Sequence, residues 1–355
     1  MTMTVIALRR LYQQRLTSQP FITPEEVVSY LGAVQSQEYL GAQWSLGMRM
    51  QNATDDIIDL AFNEGRILRT HVMRPTWHFV TPSDIRWLLE LTAPRVNAIN
   101  AYMYRQYKLD DALFTRCNEI LIKTLQGGHK MTRVELGMAL TRAGITTDNM
   151  RLGLILHRAE LDAIICSGSH QGKQSTHMLL PERAPQARSL PRQEALAELT
   201  LRYYTSHGPA TIQDFAWWSG LSTADVKGGL ALVADQLTQE IIDGQTYWYS
   251  ASQPPLTEPA PQAFLLPTYD EFLVGFSGFG KAIQNADQKT AFSAPIVING
   301  QVVGRWKRTL KSKQVVIELA PFTPLTPTEE EAINTAAQRY GAFLGLQVVY
   351  KQQKV

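Results

Sequence analysis

The chain has 355 residues, 45% of them hydrophobic and 19% charged, with 34 Lys and Arg against 32 Asp and Glu, for a formal net charge of +2. That length suits two to four modules, and the composition excludes a largely disordered chain. No run of about 18 apolar residues occurs, which argues against a membrane-spanning helix, and Cys117 and Cys166 form neither a disulfide framework nor a metal-ligand spacing.

Arg9, Arg10 and Arg15 interrupt the N-terminus too early for a secretory signal, so a reducing cytoplasm is the expected compartment. The first third reads as an opening helix from about Thr4, a second over TPEEVVSYLGAVQSQ and a third near Asp55–Glu64. Strands ILRTHV and TWHFVT follow, joined by a loop with Arg74 and Pro75, and the helix PSDIRWLLELTA leads out.

The pattern recurs more clearly from Phe114. Residues 115–126 predict a helix ended by Gly127 and Gly128, and Thr132 with Glu135 three places on forms a capping box for the next. A third helix runs from Asp148 to about Leu161, and AIICSG and STHMLL read as strands around the polar loop 168–174. A third copy begins at Pro191, with caps at Thr211 and Ser222 and a strand pair across Gly244. Three helices and a strand pair predict a winged helix-turn-helix.

The stretch ASQPPLTEPAPQ reads as an extended linker. Beyond it FLLPTYD, FLVGF, APIVING, QVVGRWKRTL and KQVVIELA predict strands, with a hairpin turn at Asn299-Gly300, then a helix from about Pro327 and a last strand. The expected fold class is α+β, tandem winged helix-turn-helix units with a C-terminal mainly-β domain. The expected boundaries are 1–110, 111–190 and 191–250 for the units, 251–262 for the linker and 263–355 for the β-rich domain.

Net charge says little about DNA, but distribution says more. Between Arg66 and Lys108 seven basic residues face only Asp84 and Glu90, and from Arg305 to Lys313 there are five basic residues and no acid. Arg69 and Arg74, with His78 nearby, are the first window's candidate DNA contacts. Arg151 and Arg158, seven apart on one helix face, are candidates for meeting phosphate, or form a solvated face. Arg305, Trp306, Lys307, Arg308, Lys311 and Lys313 make a basic hairpin with an aromatic that suits a groove, although lysines also guard edge strands.

Signatures of phosphate-loop, zinc-protease and nucleophile-elbow chemistry are absent, and no cofactor or metal is expected. One polar cluster stands among apolar neighbours, Gln35-Ser36-Gln37. Read as helix, its two glutamines fall on different sides of a turn or helix end.

The blocks AVQSQEYLGAQWSLGMR, RTHVMRPTWHFVTP, LTLRYYTSHGPATIQDFAWWSGL, LLPTYDEFLVGF and INGQVVGRWKR resemble the winged-helix bacterial DNA glycosylases that remove alkylated bases, the azinomycin-resistance type among them. The resemblance runs along nearly the whole chain and implies a positive cradle for duplex DNA. It implies catalysis by a motif of glutamine, an aliphatic residue, then glutamine or aspartate, matched by Gln35 and Gln37. Ser36 departs from the aliphatic middle, a change expected to loosen local packing. The resemblance also implies a hairpin against DNA, best matched by Asn299–Arg308.

The function so implied is a monofunctional glycosylase, monomeric, excising N7- or N3-alkylated purines and their interstrand cross-links from duplex DNA. Gln37 is the expected water-positioning residue, Gln35 its partner, and Asp270 the carboxylate available if a base is required. The alternatives are a non-catalytic DNA-binding protein or regulator on the same cradle, and a protein-interaction scaffold.

Overall fold

A computed structural model describes residues 3–250, 261–278 and 294–351. Most of the expected linker, 251–260, lies outside the described residues.

The locally encoded elements form where their caps stand. Thr132 and Glu135 make the capping box of Arg133–Arg142, Asp148 caps Asn149–Leu161, Thr211 caps Ile212–Ser219 and Ser222 caps Thr223–Val233. Each group of helices is followed by an antiparallel pair: Leu68–Val72 with Thr76–Val80, Ile165–Ser167 with Thr176–Leu179, and Leu237–Ile242 with Gln245–Ser250.

Three expectations are corrected. The second helix, Pro24–Leu31, stops at Gly32 before the polar cluster. The helix after the first strand pair does not end near Ala93; it continues through Pro94 as Ile85–Gln106. FLVGF is not a strand, because Asp270 accepts the Phe272 backbone N–H and starts the short helix Glu271–Val274.

The C-terminal sheet has five strands in the order 347–350, 314–321, 301–310, 295–298 and 263–265, antiparallel except for the parallel first pair, with Pro327–Phe343 packed on it. This sheet does not have its own core. Trp306, Ile317 and Tyr340 share one hydrophobic cluster with Val27, Val28, Leu31 and Trp44 of the opening segment. A second cluster joins the strand pair 68–80 and the long helix to helices from 192 onward, and a third encloses the middle unit. The architecture is mixed α+β, and the opening segment carrying the polar cluster is wedged between the C-terminal sheet and the later helices. Among the described residues no helix is long and apolar enough to cross a membrane.

Candidate active site

Gly32 sets the local geometry. Its φ of +83° lies where L side chains rarely go, so the helix closes there and the chain leaves extended. Val34–Gln35 pairs antiparallel with Thr76–Val80, Val34 opposite Phe79 and Gln35 opposite His78, and the Ser36 N–H continues the ladder to the Trp77 carbonyl at 2.7 Å. Regular strand ends at Gln35; the chain bends at Gln37, leaving Gln35 and Ser36 buried and Gln37 exposed. The helical reading of this stretch is corrected, because the helix ends at Leu31 and Gln35 is strand.

Side chains from distant elements fix the segment. Arg74, in the turn between Leu68–Val72 and Thr76–Val80, donates to Gln35 Oε1 at 2.8 Å. The Gln35 backbone N–H donates to Glu271 Oε1 at 2.6 Å. Glu271 is fully buried, and its Oε2 accepts the Trp218 indole N–H at 2.8 Å and faces His207 Nε2 at 3.4 Å. Burial opposes ionisation of Glu271, but the His207 hydrogen bond and the Gln35 amide outweigh it and hold the carboxyl below the ordinary range.

Ser36 has no exposure, and Arg69 grips it: Nε and Nη2 donate to its carbonyl at 3.1 and 2.8 Å. The segment is not loose at this position: Ser36 is fully buried, and its Oγ also accepts from Arg69 Nε at 3.3 Å. Arg69 in turn lies 4.3 Å from the centroid of the Trp77 ring, which also packs on His71. Burial draws the Arg69 pKa down to about 10, so it stays charged at neutral pH. Gln37 is exposed, with only a long contact from the Trp77 N–H to its Oε1 at 3.4 Å.

The remaining candidates divide by their partners. Asp270 is not placed to act as a base: Arg49 grips both its oxygens at 2.8 and 2.9 Å and Ser45 Oγ donates at 2.6 Å, all fully or almost fully buried. His78 has no exposure and its Nδ1 faces the Thr76 carbonyl, so it cannot meet DNA; burial pulls its pKa to about 3 and keeps it neutral. Arg151 folds back onto the carbonyls of Thr146 and Tyr107, and Arg158 pairs with Asp162 and Asp111 over the Phe114 ring. Both arginines are engaged by neighbouring groups of the protein and do not project as a phosphate-reading face.

The basic hairpin is also rearranged. The Asn299-Gly300 turn packs on the first helix, where a Cβ on Gly300 would lie 2.7 Å from that of Ala7. The free tip belongs instead to Gln301–Leu310 and Gln314–Pro321, with Lys311 and Lys313 exposed on it. Trp306 is 2% exposed and donates its indole N–H to the Leu266 carbonyl, so it is core and not a groove-entering ring. Arg308, near the tip, pairs with Glu38 at 3.0 Å and thereby ties the hairpin to the residue after Gln37. Arg305 is half-buried over Phe322, and Lys307 is exposed.

Sequence reasoning missed Glu271 and His207. Glu271 lies in the TYDE stretch beside the carboxylate that was singled out, yet nothing local distinguishes the two; the partner that does, Gln35, is 236 residues away. Among the described residues no group of three or more His, Cys, Asp or Glu is arranged to hold a metal ion.

A family model described as "DNA glycosylase AlkZ-like" matches residues 28–343. The chain is 23% identical to the interstrand DNA cross-link repair glycosylase of Streptomyces sahachiroi in an alignment 350 residues long that covers 92% of this chain and 94% of that protein. It superposes on the solved structure of the Streptomyces sahachiroi DNA glycosylase AlkZ with a TM-score of 0.81 at 20% identity, covering 99% of this chain and 100% of that one.

Proposed function

The chain belongs to the AlkZ-like DNA glycosylase family, and we propose that it excises N7- and N3-alkylated purines, interstrand cross-links among them, using Gln35 and Gln37 as its catalytic pair. As a glycosylase it hydrolyses the N-glycosidic bond. The single observation that supports the assignment is the fixing of the motif: Glu271 holds the Gln35 N–H, Arg69 holds the Ser36 carbonyl, and Gln37 beside them is exposed. A regulator has no need of such a clamp, and the family match does not favour that reading.

The chemistry fits amides. A purine alkylated at N7 or N3 carries positive charge and leaves as a neutral base. Water attacks C1′ as the C1′–N9 bond breaks and its electron pair passes into the purine. The transition state is oxocarbenium-like, so the protein has to place a water and stabilise shifting charge more than supply a strong base. Gln37, exposed and weakly held, is the water-positioning group. Gln35 is its fixed partner.

The three groups of helices with their strand pairs are read as winged helix-turn-helix units over 1–110, 111–190 and 191–250, with 263–355 as the β-rich domain. Lys311 and Lys313 at the hairpin tip, with Lys307 and Arg305 along it, are the basic groups left free to meet phosphate. The protein is read as a monomer acting in the cytoplasm on duplex DNA, with no cofactor.

The test is incubation with a duplex carrying one N7-methylguanine and, separately, a nitrogen-mustard cross-link. Freed base measured by liquid chromatography with mass detection, leaving an abasic site, is the expected result. Binding without release from either duplex would overturn the reading.

A further inference from the structure

Gln35 has a defined polarity. An amide side chain has one accepting and one donating end, and the two look alike in outline, but a guanidinium only donates. Because Arg74 Nη2 lies 2.8 Å from Gln35, the end it meets has to be Oε1. The Nε2 end then points away from Arg74, and among the described residues nothing takes it. Gln35 is 6% exposed, so it is almost wholly enclosed.

The backbone beneath is fixed just as firmly. Glu271 is met from three elements: it accepts the Gln35 amide N–H from Val34–Gln35 and the Trp218 indole N–H from Ile212–Ser219, and it faces His207 Nε2 from Arg192–His207. Gln14 Nε2 also donates to the Glu271 carbonyl at 3.1 Å. A carboxylate satisfies donors on both oxygens, whereas an amide in its place would turn an N–H onto one of them. Arg74 is braced as well, its guanidinium 5.7 Å from the centroid of the Trp217 ring, whose indole N–H is tied to the Val274 carbonyl.

We infer that Glu271 is a positioning residue which, with Arg74, holds Gln35 with its NH2 end toward the substrate, so that Gln35 acts as a hydrogen-bond donor to an acceptor on the departing purine. This rests on the reading of Gln35 as catalytic. The charge flow supports a donor at that place. As C1′–N9 breaks, the electron pair enters the purine ring and its edge acceptors become richer in electrons. A donor held there binds more strongly in the transition state than in the ground state, which is the condition for raising the rate. Gln37 remains the group for the water, so the two glutamines divide the work.

The test is single-turnover release of N7-methylguanine from duplex DNA by the full chain, with affinity measured in parallel on the same duplex bearing a 2′-fluoro sugar that resists cleavage. Glu271→Gln should lower the rate constant by about a hundredfold, the scale of a misplaced catalytic group, with affinity unchanged. That split separates positioning from general loss of structure. Gln35→Glu keeps the Arg74 contact but offers an oxygen where the wild type offers NH2, and should be as slow as Gln35→Ala. A fully active Gln35→Glu beside a slow Gln35→Ala would overturn the donor assignment alone. A fully active Gln35→Ala would instead remove the catalytic reading of the pair. Wild-type rate in folded Glu271→Gln would overturn the positioning role; should that variant not fold, Arg74→Met, which removes the hold on Gln35 Oε1, decides by the same split of rate and affinity.

Discussion

Asp270→Asn separates a structural carboxylate from a chemical one. Asp270 and Arg49 each have no side-chain exposure, and the carboxylate accepts from both Arg49 terminal nitrogens, Ser45 Oγ and the Phe272 N–H. Replacing it by an amide leaves the Arg49 charge buried and uncompensated and turns an N–H toward these donors. Breaking such a pair costs about 3–5 kcal/mol. At roughly 2–4 °C per kcal/mol for domains of 150–250 residues, the melting temperature should fall on the order of 10 °C. The assay is thermal unfolding followed by circular dichroism, with single-turnover base release well below the transition. The release rate, normalised to folded protein, should stay close to wild type, whereas loss of a general base costs about 10²–10⁴-fold. An Asp270→Asn protein with unchanged melting temperature, or one fully folded yet slowed a thousandfold, would refute this reasoning. A double variant, Arg49→Met with Asp270→Leu, should recover part of the lost stability, because apolar replacement removes both desolvated charges at once.

Other consequences are equally open to measurement. Lys311→Ala with Lys313→Ala should leave the melting temperature unchanged and reduce the slope of log affinity against log salt by about 2, one per lost phosphate contact; an unaltered slope would place the hairpin tip away from DNA. Trp306→Ala should destabilise by about 3–5 kcal/mol, as for a buried tryptophan, while Trp306→Phe should keep wild-type affinity for DNA; a selective loss of affinity in the phenylalanine variant would contradict the core assignment. Stability should also fall with acid. Burial holds His78 at about 3 and His157 at about 4, below the usual 6.5, so the unfolded chain takes up protons first as pH drops. The resulting loss begins below about pH 6.5. Burial tends to raise Asp84, but the Arg202 hydrogen bond and charge hold it at about 2, so its contribution is present above its ordinary value of 3.8 and lost as pH falls toward 2. Melting temperature should therefore be flat above pH 7 and decline steadily below 6.5, and a rise on acidification would contradict the neutral, buried histidines.

What was legible in the sequence was whatever is encoded locally. The caps at Thr132, Asp148, Thr211 and Ser222 act on amides two or three residues away, so the helices they open could be read without tertiary information. The turn at Asn299-Gly300 was legible for the same reason, both residues taking positive φ. What surrounds that turn was not, because the helix that covers it lies almost the whole chain length away. The same distance hid the difference between Asp270 and Glu271, one sealed onto Arg49 and the other placed behind Gln35. The polar cluster was visible as a motif, but its strand geometry depends on Gly32 ending a helix that the surrounding apolar pattern would otherwise extend. Basic side chains were the least legible: Arg151 and Arg158 share a helix face and Arg308 counts toward a charge window, yet each is spent on a partner that only the fold brings near.

The central claim is that Gln37 works on a water at an alkylated purine. Its most direct test is release of N7-methylguanine from duplex DNA by wild type and Gln37→Ala side by side, with binding measured for both. Release by the wild type, and its loss in the variant at unchanged affinity, is the result this account expects. Equal release by the two proteins would contradict it.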